Sequence, residues 1–401
     1  MKVNLLINNE EIETDQYTEV RDPGKLSNVV GLVAHGSVQH VDKAIQEAYN
    51  TFKSWSNVEL EVRISKLLKA IQQFETDATH LANVVSLENG MLLDVSKSEF
   101  AMAAVVMRNS AELARNALQT KTIEDEFSGV LIEKKPIGVI AGIVPWNAPI
   151  VLTMQKVVPA ILAGNTIVIK PSPFAPLGVT LALKNIATFF PPGVINIVHG
   201  DADVGTALST HPLIRKISFT GGGETAKHIM KSAAETLKGI HFELGGNDPA
   251  IILDDANLDE IVPKIVNGVF RRSGQFCFAI KRIYLPTTLY DEFYERMCTI
   301  TDQYKIGHQL NVNATFGPLN NPNQFQNVKR LLERLDNSSA NIMKLGQKLE
   351  PDNWDNGYYM NPVIVRDIDP YHDLVTCEQF GPIIPLIAYK SEAEVIHMAN
   401  D

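Results

Sequence analysis

Between residues 138 and 221 the chain alternates between short apolar runs and longer segments with helical spacing of their apolar residues. The apolar runs are GVIAGIVP, NTIVIKP, GVINIVHG and RKISFTG, and the segments between them are IVLTMQKVVPAILAG, PLGVTLALKNIATFF and ADVGTALSTHP. Strands separated by helices of this length pair in parallel, because each helix carries the chain back to the start of the next strand. The alternation therefore predicts an α/β domain with βαβ crossovers and a parallel sheet.

The segments before and after this region have other patterns. Residues 1–36 are typical of short strands and turns, and residues 37–116 have the apolar spacing of a helical block. A second alternating region begins near IHFELGGNDPAIILDD and continues through a predicted helix at 258–272, the strand KRIYLP and the helix YDEFYERMCTITDQY. We therefore expect a second α/β domain, joined to the first around residues 238–246.

Charge and cysteine content exclude several classes of protein. The 401 residues include 36 Lys and Arg against 46 Asp and Glu, a net charge of −10, with no dense basic block. Nucleic acid is therefore not an expected partner. No apolar run is long enough for a transmembrane helix, and the start MKVNLLINNEEIETDQ lacks a signal peptide, so we expect no membrane partner and a cytoplasmic location. The three cysteines form no CxxC pair, which argues against a disulfide framework or a metal site.

A glycine-rich turn is the first motif that could carry chemistry. Gly221, Gly223 and Ala226 follow a predicted strand and open a predicted helix. Backbone N–H groups in that setting can hold a pyrophosphate. The alternative is a turn that only allows the strand and helix to pack closely.

Two further motifs lie at predicted strand ends. In PWNAP, Pro145–Pro149, Asn147 either forms an Asx-turn or helix cap between two prolines, or its amide donates a hydrogen bond to a developing oxyanion. In FELGGND, Glu243 ends an apolar strand. It either caps the adjacent Gly-Gly turn or is a general base whose pKa is raised by apolar surroundings.

The stretch RRSGQFCFAIKR contains a thiol among four cations. Cys277 follows Gly274 in a predicted loop after a helix, and the flanking cations favour a thiolate. An isolated cysteine is more often structural, as expected for Cys298 on an amphipathic helix. Lys281 and Arg282 open the next strand and are interpreted as scaffold.

Taken together, the motifs EVRDP, PWNAP, KPSP, PPGVINIVHG, FTGGGE, ELGGND, GQFC and EQFGP, in this order, resemble the aldehyde dehydrogenase superfamily, and most closely its AldA-like branch. The resemblance covers nearly the whole chain and implies the aldehyde dehydrogenase fold, with two doubly wound parallel-sheet domains. It assigns residues 1–116 and 137–242 to an NAD(P)-binding domain, residues 117–136 to an oligomerisation strand segment and residues 243–401 to a catalytic domain.

The resemblance also implies an oxidation of an aldehyde to a carboxylic acid. Cys277 is the nucleophile that forms a thiohemiacetal and then a thioester. Asn147 and the Cys277 N–H form the oxyanion hole, Glu243 activates the hydrolytic water, and Lys156 assists a proton relay. Acyl transfer to coenzyme A is the alternative outcome, which a hydrolytic base at position 243 disfavours.

The implied cofactor is NAD, with NADP possible. Lys170 and Ser172 match positions beside the adenosine ribose, Gly221 and Gly222 lie under the pyrophosphate, and Glu378 and Phe380 orient the nicotinamide ribose. NAD-preferring relatives often carry a glutamate at the position of Pro173, and its absence here leaves room for a 2′-phosphate. The other implied contacts are Val144, Pro145, Trp146, Gly200, Gly205, Phe219, Thr220 and Leu244.

The substrate is open at this stage. Arg271 matches an arginine that binds the substrate carboxylate in succinate-semialdehyde dehydrogenases, but the second arginine of that pair is replaced by Gln155. The alternative is a salt bridge at Arg271. Phe276 and Phe278 favour an apolar or aromatic aldehyde.

The chain ends at EVIHMAND, where relatives continue for several dozen residues that include a terminal dimer strand. The family implies a homodimer or homotetramer, and the shorter end leaves a catalytically impaired nucleotide-binding relative as an alternative.

Overall fold

The computed structural model describes residues 1–336 and 338–400. The strands in chain order are β1 (Lys2–Val3), β2 (Leu5–Ile7), β3 (Glu10–Ile12), β4 (Tyr17–Asp22), β5 (Lys25–Ala34), β6 (Lys121–Glu124), β7 (Gly129–Ile132), β8 (Val139–Ile143), β9 (Thr166–Lys170), β10 (Ile195–Ile197), β11 (Ile214–Thr220), β12 (Gly239–Glu243), β13 (Pro249–Ile251), β14 (Arg282–Pro286), β15 (Lys305–Ile306), β16 (Asn341–Lys344), β17 (Gln347–Lys348), β18 (Val363–Arg366) and β19 (Ile383–Tyr389). The helices are α1 (Val38–Trp55), α2 (Leu60–Asn89), α3 (Leu93–Ala117), α4 (Pro149–Leu162), α5 (Leu177–Ala187), α6 (Ala202–Thr210), α7 (Gly223–Ala234), α8 (Leu258–Phe270), α9 (Tyr290–Thr301), α10 (Pro322–Asp336), α11 (Asp373–Thr376) and α12 (Glu392–Asn400).

The chain forms two compact units. The N-terminal unit comprises Met1–Val20, Val29–Glu88 and Ser96–Leu244, and the C-terminal unit comprises Arg21–Asn28, Asn89–Val95 and Gly245–Asp401. Two short segments from the first hundred residues, 21–28 and 89–95, therefore pack with the C-terminal unit. Sequence patterns gave no sign of this, because both segments are brief and lie between elements of the N-terminal unit.

The N-terminal unit is built on a seven-stranded sheet in the order β12-β11-β8-β9-β10-β2-β3. The first five of these strands are parallel, and β2 and β3 extend the sheet in the antiparallel sense. Counted from β8, the parallel strands lie in the order 3-2-1-4-5, which is the order of a doubly wound sheet. The predicted α/β fold with a parallel sheet is confirmed.

The strand register brings several carboxyl ends to the same edge of this sheet. Ile143 at the end of β8 pairs with Lys170 at the end of β9 and with Phe219 of β11. Thr220, the last residue of β11, pairs with Glu243, the last residue of β12. The loops that follow β8, β9, β11 and β12 therefore open side by side, and the order of the sheet reverses between β8 and β11, where ligands bind in such folds.

The helical block is present as α1, α2 and α3, and two of these helices support the sheet crossovers. Buried Glu88 of α2 accepts hydrogen bonds from the first N–H groups of α5, at 2.7 Å from Leu177 and 2.8 Å from Gly178. Buried Glu99 of α3 accepts in the same way from Ile150 in α4, at 2.8 Å. Each carboxylate satisfies helix N–H groups that have no partner within their own helix.

The C-terminal unit contains a five-stranded sheet in the order β13-β14-β19-β18-β16, which is parallel except for β16. This confirms the second α/β region. The helix predicted over 258–272 is α8, and it ends earlier, at Phe270. The reason is that Arg272 and Ser273 adopt left-handed backbone conformations, with φ of 52° and 56°, which an α-helix cannot include.

Residues 121–132 form an exposed antiparallel hairpin of β6 and β7. This hairpin lies inside the stretch assigned by resemblance to an oligomerisation strand. Among the described residues, no helix has both the length and the apolar character that crossing a membrane requires.

Candidate active site

The loop Val144–Ala148 connects β8 to α4 and carries Asn147. Its start is fixed by a hydrogen bond of 3.2 Å from the Val144 N–H to the Lys170 carbonyl. Ala148 occupies the cap position of α4 without a side-chain bond, and Glu99 performs the capping instead. The cap position of α4 is thus occupied by Ala148 and not by Asn147. Its side chain is buried, in a residue only 8% exposed, at the carboxyl edge of the sheet.

Lys156 lies two turns into α4 and faces β11. Its ammonium donates a hydrogen bond of 3.2 Å to the Ser218 hydroxyl. Burial lowers the pKa of Lys156 to about 8, and the negative charge of Glu243 opposes that shift. Lys156 and Glu243 are thus close enough to influence each other. Ser218 was not identified from the sequence, and its signal would have been a hydroxyl between the apolar residues Ile217 and Phe219.

Glu243 does not have the apolar surroundings predicted for it. Its side chain is 60% exposed and pairs with His241, with 3.0 Å between Nε2 and Oε1. The strand β12 is at the edge of the sheet and is half exposed, so its apolar residues do not enclose the carboxylate. His241 was also missed, although residues two apart on a strand share one face.

The glycine-rich turn after β11 begins the helix α7, as predicted. The Gly221 N–H donates to the Glu243 carbonyl at 3.1 Å, which ties this turn to the end of β12. Gly222 occupies the cap position of α7 without a side-chain hydrogen bond. Within the described residues, the buried Thr220 hydroxyl has no hydrogen-bond partner. A helix N-terminus of this kind suits an anionic group.

Lys170 lies buried at the end of β9, 6% exposed, and donates to the Pro171 carbonyl at 3.4 Å. Burial lowers the pKa of Lys170 to about 8, and the negative charges of Asp201 and, to a smaller extent, Asp203 oppose this shift. These two carboxylates begin α6 and were not identified from the sequence.

The other residues implied as cofactor contacts in this unit lie at strand ends or in the loops and helix starts that follow them. They are Pro145, Trp146, Ser172, Pro173, Gly200, Gly205, Phe219 and Leu244. Ser172 is buried, and its hydroxyl accepts a hydrogen bond of 3.3 Å from the Phe174 N–H, whereas Pro173 and Leu244 are exposed.

In the C-terminal unit, Cys277 is a free, partly exposed thiol in the turn between α8 and β14. Gly274 is left-handed, with φ of 75°, and a Cβ at this position would lie 2.3 Å from the Gly381 carbonyl oxygen. The Ser273 hydroxyl donates to the Gly317 carbonyl at 2.8 Å, and the Gln275 amide accepts from the Asn320 N–H at 3.0 Å. The turn is therefore held in a strained conformation by bonds on both sides of Gly274.

The other two cysteines differ from Cys277. Cys298 lies on α9 and packs partly against the core, and burial raises its pKa. This agrees with the structural role expected for it. Cys377 is exposed at the end of α11.

Glu378 and Phe380 lie in the loop that leads into β19. Phe380 has a left-handed φ of 48°. The Gln324 side-chain amide donates to the Gln379 and Phe380 carbonyls, both at 2.9 Å, and fixes this loop. Partial burial raises the pKa of Glu378, while Lys281 and a hydrogen bond from the Gly246 N–H oppose the shift.

The residues considered for substrate selection have mixed exposure. Phe276 is buried and Phe278 is 72% exposed, and their ring centroids are 5.1 Å apart. Arg271 is exposed beside the Cys277 turn, and Gln155 is exposed on α4.

Within the N-terminal unit, the structure thus brings Asn147, Lys156 and Glu243 to one edge of one sheet. Within the C-terminal unit, the buried ammonium of Lys281 lies close to both the Cys277 turn and the Glu378 loop. The described part of the chain has no group of three or more His, Cys, Asp or Glu side chains arranged to hold a metal ion.

Comparisons with known proteins cover almost all of the chain. The aldehyde dehydrogenase family matches residues 10–401. A glutarate-semialdehyde dehydrogenase from Pseudomonas putida is 33% identical over 98% of this chain and 82% of its own length. A betaine aldehyde dehydrogenase from Staphylococcus aureus in complex with NAD⁺ has a TM-score of 0.94 at 28% identity, over 99% of this chain and 80% of its own. An NADP-dependent enzyme from E. coli has a TM-score of 0.94 at 30% identity, over 100% of this chain and 83% of its own. The resemblance carried by the sequence motifs is confirmed, and the chain belongs to the aldehyde dehydrogenase family, which oxidises aldehydes.

Proposed function

We propose that this protein oxidises an aldehyde to a carboxylic acid through a thioester on Cys277, using NAD as the cofactor. The observation that carries the proposal is the state of Cys277. It is a partly exposed free thiol on a strained turn, whereas structural cysteines are usually buried.

In the first step the Cys277 thiolate attacks the aldehyde carbon and produces a tetrahedral alkoxide. The Asn147 amide and the Cys277 backbone N–H donate hydrogen bonds to that oxyanion. Each such donor stabilises the transition state by roughly 2.7–4 kcal/mol. Asn147 is suited to this role because its side chain is buried at the carboxyl edge of the sheet.

The residues present fit a dinucleotide. Its pyrophosphate would lie at the uncapped start of α7, where the buried Thr220 hydroxyl has no partner among the described residues. Lys170 and Ser172 would hold the adenosine ribose, and Glu378 and Phe380 the nicotinamide ribose. When bound, NAD accepts the two electrons and the hydrogen that the alkoxide loses as the thioester forms.

Glu243 completes the reaction by activating the water that hydrolyses the thioester, which releases the acid and regenerates the thiol. Its exposure leaves it open to solvent, from which the water would come. The charge of Lys156 interacts with that of Glu243, and its ammonium donates a hydrogen bond to the Ser218 hydroxyl, which supports a role for Lys156 in the proton relay.

For the cofactor, the proposal is NAD, with NADP as the alternative. Asp201 and Asp203 place negative charge near Lys170, which disfavours a 2′-phosphate even though position 173 is proline. Replacing both carboxylates, as Asp201→Asn with Asp203→Asn, should raise kcat/KM with NADP relative to NAD. An unchanged ratio would show that these carboxylates do not select the cofactor.

For the substrate, a semialdehyde is a second candidate beside apolar and aromatic aldehydes. Its support is the exposed Arg271 beside the Cys277 turn, together with the similarity to a glutarate-semialdehyde dehydrogenase. Arg271→Leu should raise KM for succinic semialdehyde and leave benzaldehyde oxidation unchanged. Equal effects on both aldehydes would exclude a carboxylate-binding role.

Assembly into a homodimer or homotetramer is also proposed. The β6–β7 hairpin exposes Phe127 at 95% and Leu131 at 62%, side chains that an oligomer interface would cover. Sedimentation of the chain and of a Phe127→Ser, Leu131→Ser variant tests this. A monomer in both cases would exclude the interface.

The reaction itself is tested with three cysteine variants. Cys277→Ala should lose aldehyde oxidation and retain NAD binding, measured by fluorescence titration. Cys298→Ala and Cys377→Ala are matched controls that should retain activity. If Cys277→Ala still oxidised aldehydes, the proposed mechanism would be wrong.

A further inference from the structure

Lys281 is a buried cation next to the loop that carries Cys277. It precedes β14 and is only 1% exposed, which is unusual for a lysine. Its ammonium donates hydrogen bonds to the Phe276 carbonyl at 3.0 Å and to the Gly274 carbonyl at 3.5 Å. The two acceptors lie three residues and one residue before Cys277, so the ammonium is bonded to the turn that presents the thiol.

The same ammonium also contacts the Glu378 loop. It lies 5.1 Å from the ring centroid of Phe380 and 5.8 Å from that of Phe276. Cations are attracted to aromatic ring faces at these distances. The two loops also meet directly, because the Gly381 carbonyl lies against Gly274. Lys281 therefore connects the turn of the nucleophile to the loop proposed to hold the nicotinamide ribose.

The charges around Lys281 are mostly negative. Burial lowers the pKa of Lys281 to about 8, and the negative charges of Glu378, Asp248 and Cys277, in decreasing order of effect, oppose this shift. These groups come from the loop before β19, the segment before β13 and the nucleophile turn. Coulomb attraction is mutual, so negative charge that develops on the Cys277 sulfur during a reaction is attracted by the ammonium.

The neighbouring cation Arg282 has other partners. Its guanidinium donates to the Asn247 carbonyl at 2.9 Å, to the Tyr284 hydroxyl at 3.0 Å and to the Ala399 carbonyl at 3.0 Å. These bonds direct it towards α12 and the start of β14. The hydrogen bonds of Arg282 thus lie outside the Cys277 turn, whereas the ammonium of Lys281 bonds to the turn itself.

We infer that Lys281 is a positioning residue that holds the Cys277 turn against the Glu378 loop and promotes the reactive, ionised form of the thiol. This inference rests on the proposed role of Cys277 as nucleophile. It assigns a functional role to a residue that the sequence alone indicated as scaffold.

The test measures the alkylation of Cys277 by iodoacetamide from pH 6 to pH 10, with the labelled peptide quantified by mass spectrometry to separate it from Cys298 and Cys377. Lys281→Gln retains hydrogen-bond donors without the charge, and Lys281→Arg retains the charge. Lys264→Gln, at an exposed position on α8, is the matched control.

Lys281→Gln should lower the alkylation rate at pH 7 by about threefold to tenfold, because moving a titration midpoint by half a unit to one unit changes the thiolate fraction by that factor. The difference should vanish at high pH, where the thiol is ionised in every variant. Lys281→Arg should recover most of the rate, and Lys264→Gln should match the parent.

An alkylation profile of Lys281→Gln that coincides with the parent profile would overturn the inference, and so would a loss of rate that is equal at every pH. Thermal unfolding shows whether Lys281→Gln folds. If it does not, Lys281→Arg is the deciding variant. An alkylation profile of Lys281→Arg that is displaced to higher pH than the parent profile would contradict a role for the charge. The alkylation assay needs neither aldehyde nor cofactor. A negative result in this assay would therefore refute the role of Lys281 alone, whereas aldehyde oxidation by Cys277→Ala would refute the proposed function.

Discussion

Replacing Gly274 with alanine should displace the turn that presents Cys277. Gly274 has a φ of 75°, and the new Cβ would lie 2.3 Å from the Gly381 carbonyl oxygen and 2.7 Å from the Gly381 carbonyl carbon. Cβ atoms do not tolerate contacts below 3.0 Å, and both atoms are backbone, which cannot rotate away as a side chain does. The two loops must therefore separate.

The size of the effect follows from two costs. A left-handed alanine costs roughly 1–2 kcal/mol, and forcing atoms into a packed site costs about 1–3 kcal/mol more. The free energy of unfolding should thus fall by about 2–5 kcal/mol. A displacement of about 1 Å in a reacting group lowers rates by about 10²-fold, so kcat/KM should fall by about that factor.

Gly346→Ala is the matched control. Gly346 has a similar φ of 84°, but the atom nearest to an added Cβ is the end of the Ile306 side chain, at 3.1 Å. This variant carries the conformational cost with little overlap, so it should lose roughly 1–2 kcal/mol of stability and keep its activity. Urea unfolding and steady-state kinetics measure both quantities. Equal activity in Gly274→Ala and Gly346→Ala would refute the steric argument.

Two further predictions concern other parts of the structure. Asn147→Ala should lower kcat by about 10²–10³-fold with little change in KM for the aldehyde, because it removes a hydrogen bond made in the transition state. Steady-state kinetics measures both constants, and a change confined to KM would contradict this role. Burial raises the pKa of Glu88 from 4.5 to about 8, so the folded chain retains a proton that the unfolded chain releases between these values. The contribution of Glu88 to stability should therefore decline as the pH rises from about 5 to about 8. Glu88→Gln should flatten this part of the unfolding profile, and an unaltered slope would show that another group causes it.

The order of elements could be predicted because the apolar runs and the helical segments have different periods. Strands β8 to β11 and helices α4 to α6 all lie within two or three residues of the segments that the sequence indicated. The position of Cys277 in a turn after a helix was predictable for the same reason. A local pattern of side chains is sufficient for such elements, because the period of the apolar residues distinguishes a strand from a helix.

The features that escaped prediction depend on neighbours that are distant in the chain. Glu99 of α3, about fifty residues earlier, accepts the hydrogen bonds of the first N–H groups of α4. The residues near Asn147 therefore gave no indication that these N–H groups have a partner. The exposure of Glu243 follows from the place of β12 at the sheet edge. Lys281 is buried against the expectation for a lysine, because carbonyls and rings of two loops surround it.

The central claim, a thioester on Cys277 that Glu243 helps to hydrolyse, is tested most directly by mass spectrometry of the Glu243→Gln variant mixed with NAD⁺ and an aldehyde. The account predicts about one NADH per chain in a single burst, and an acyl group found on the peptide that contains Cys277. An acyl group on a different residue, or NADH formed with no acyl group on any peptide, would contradict it.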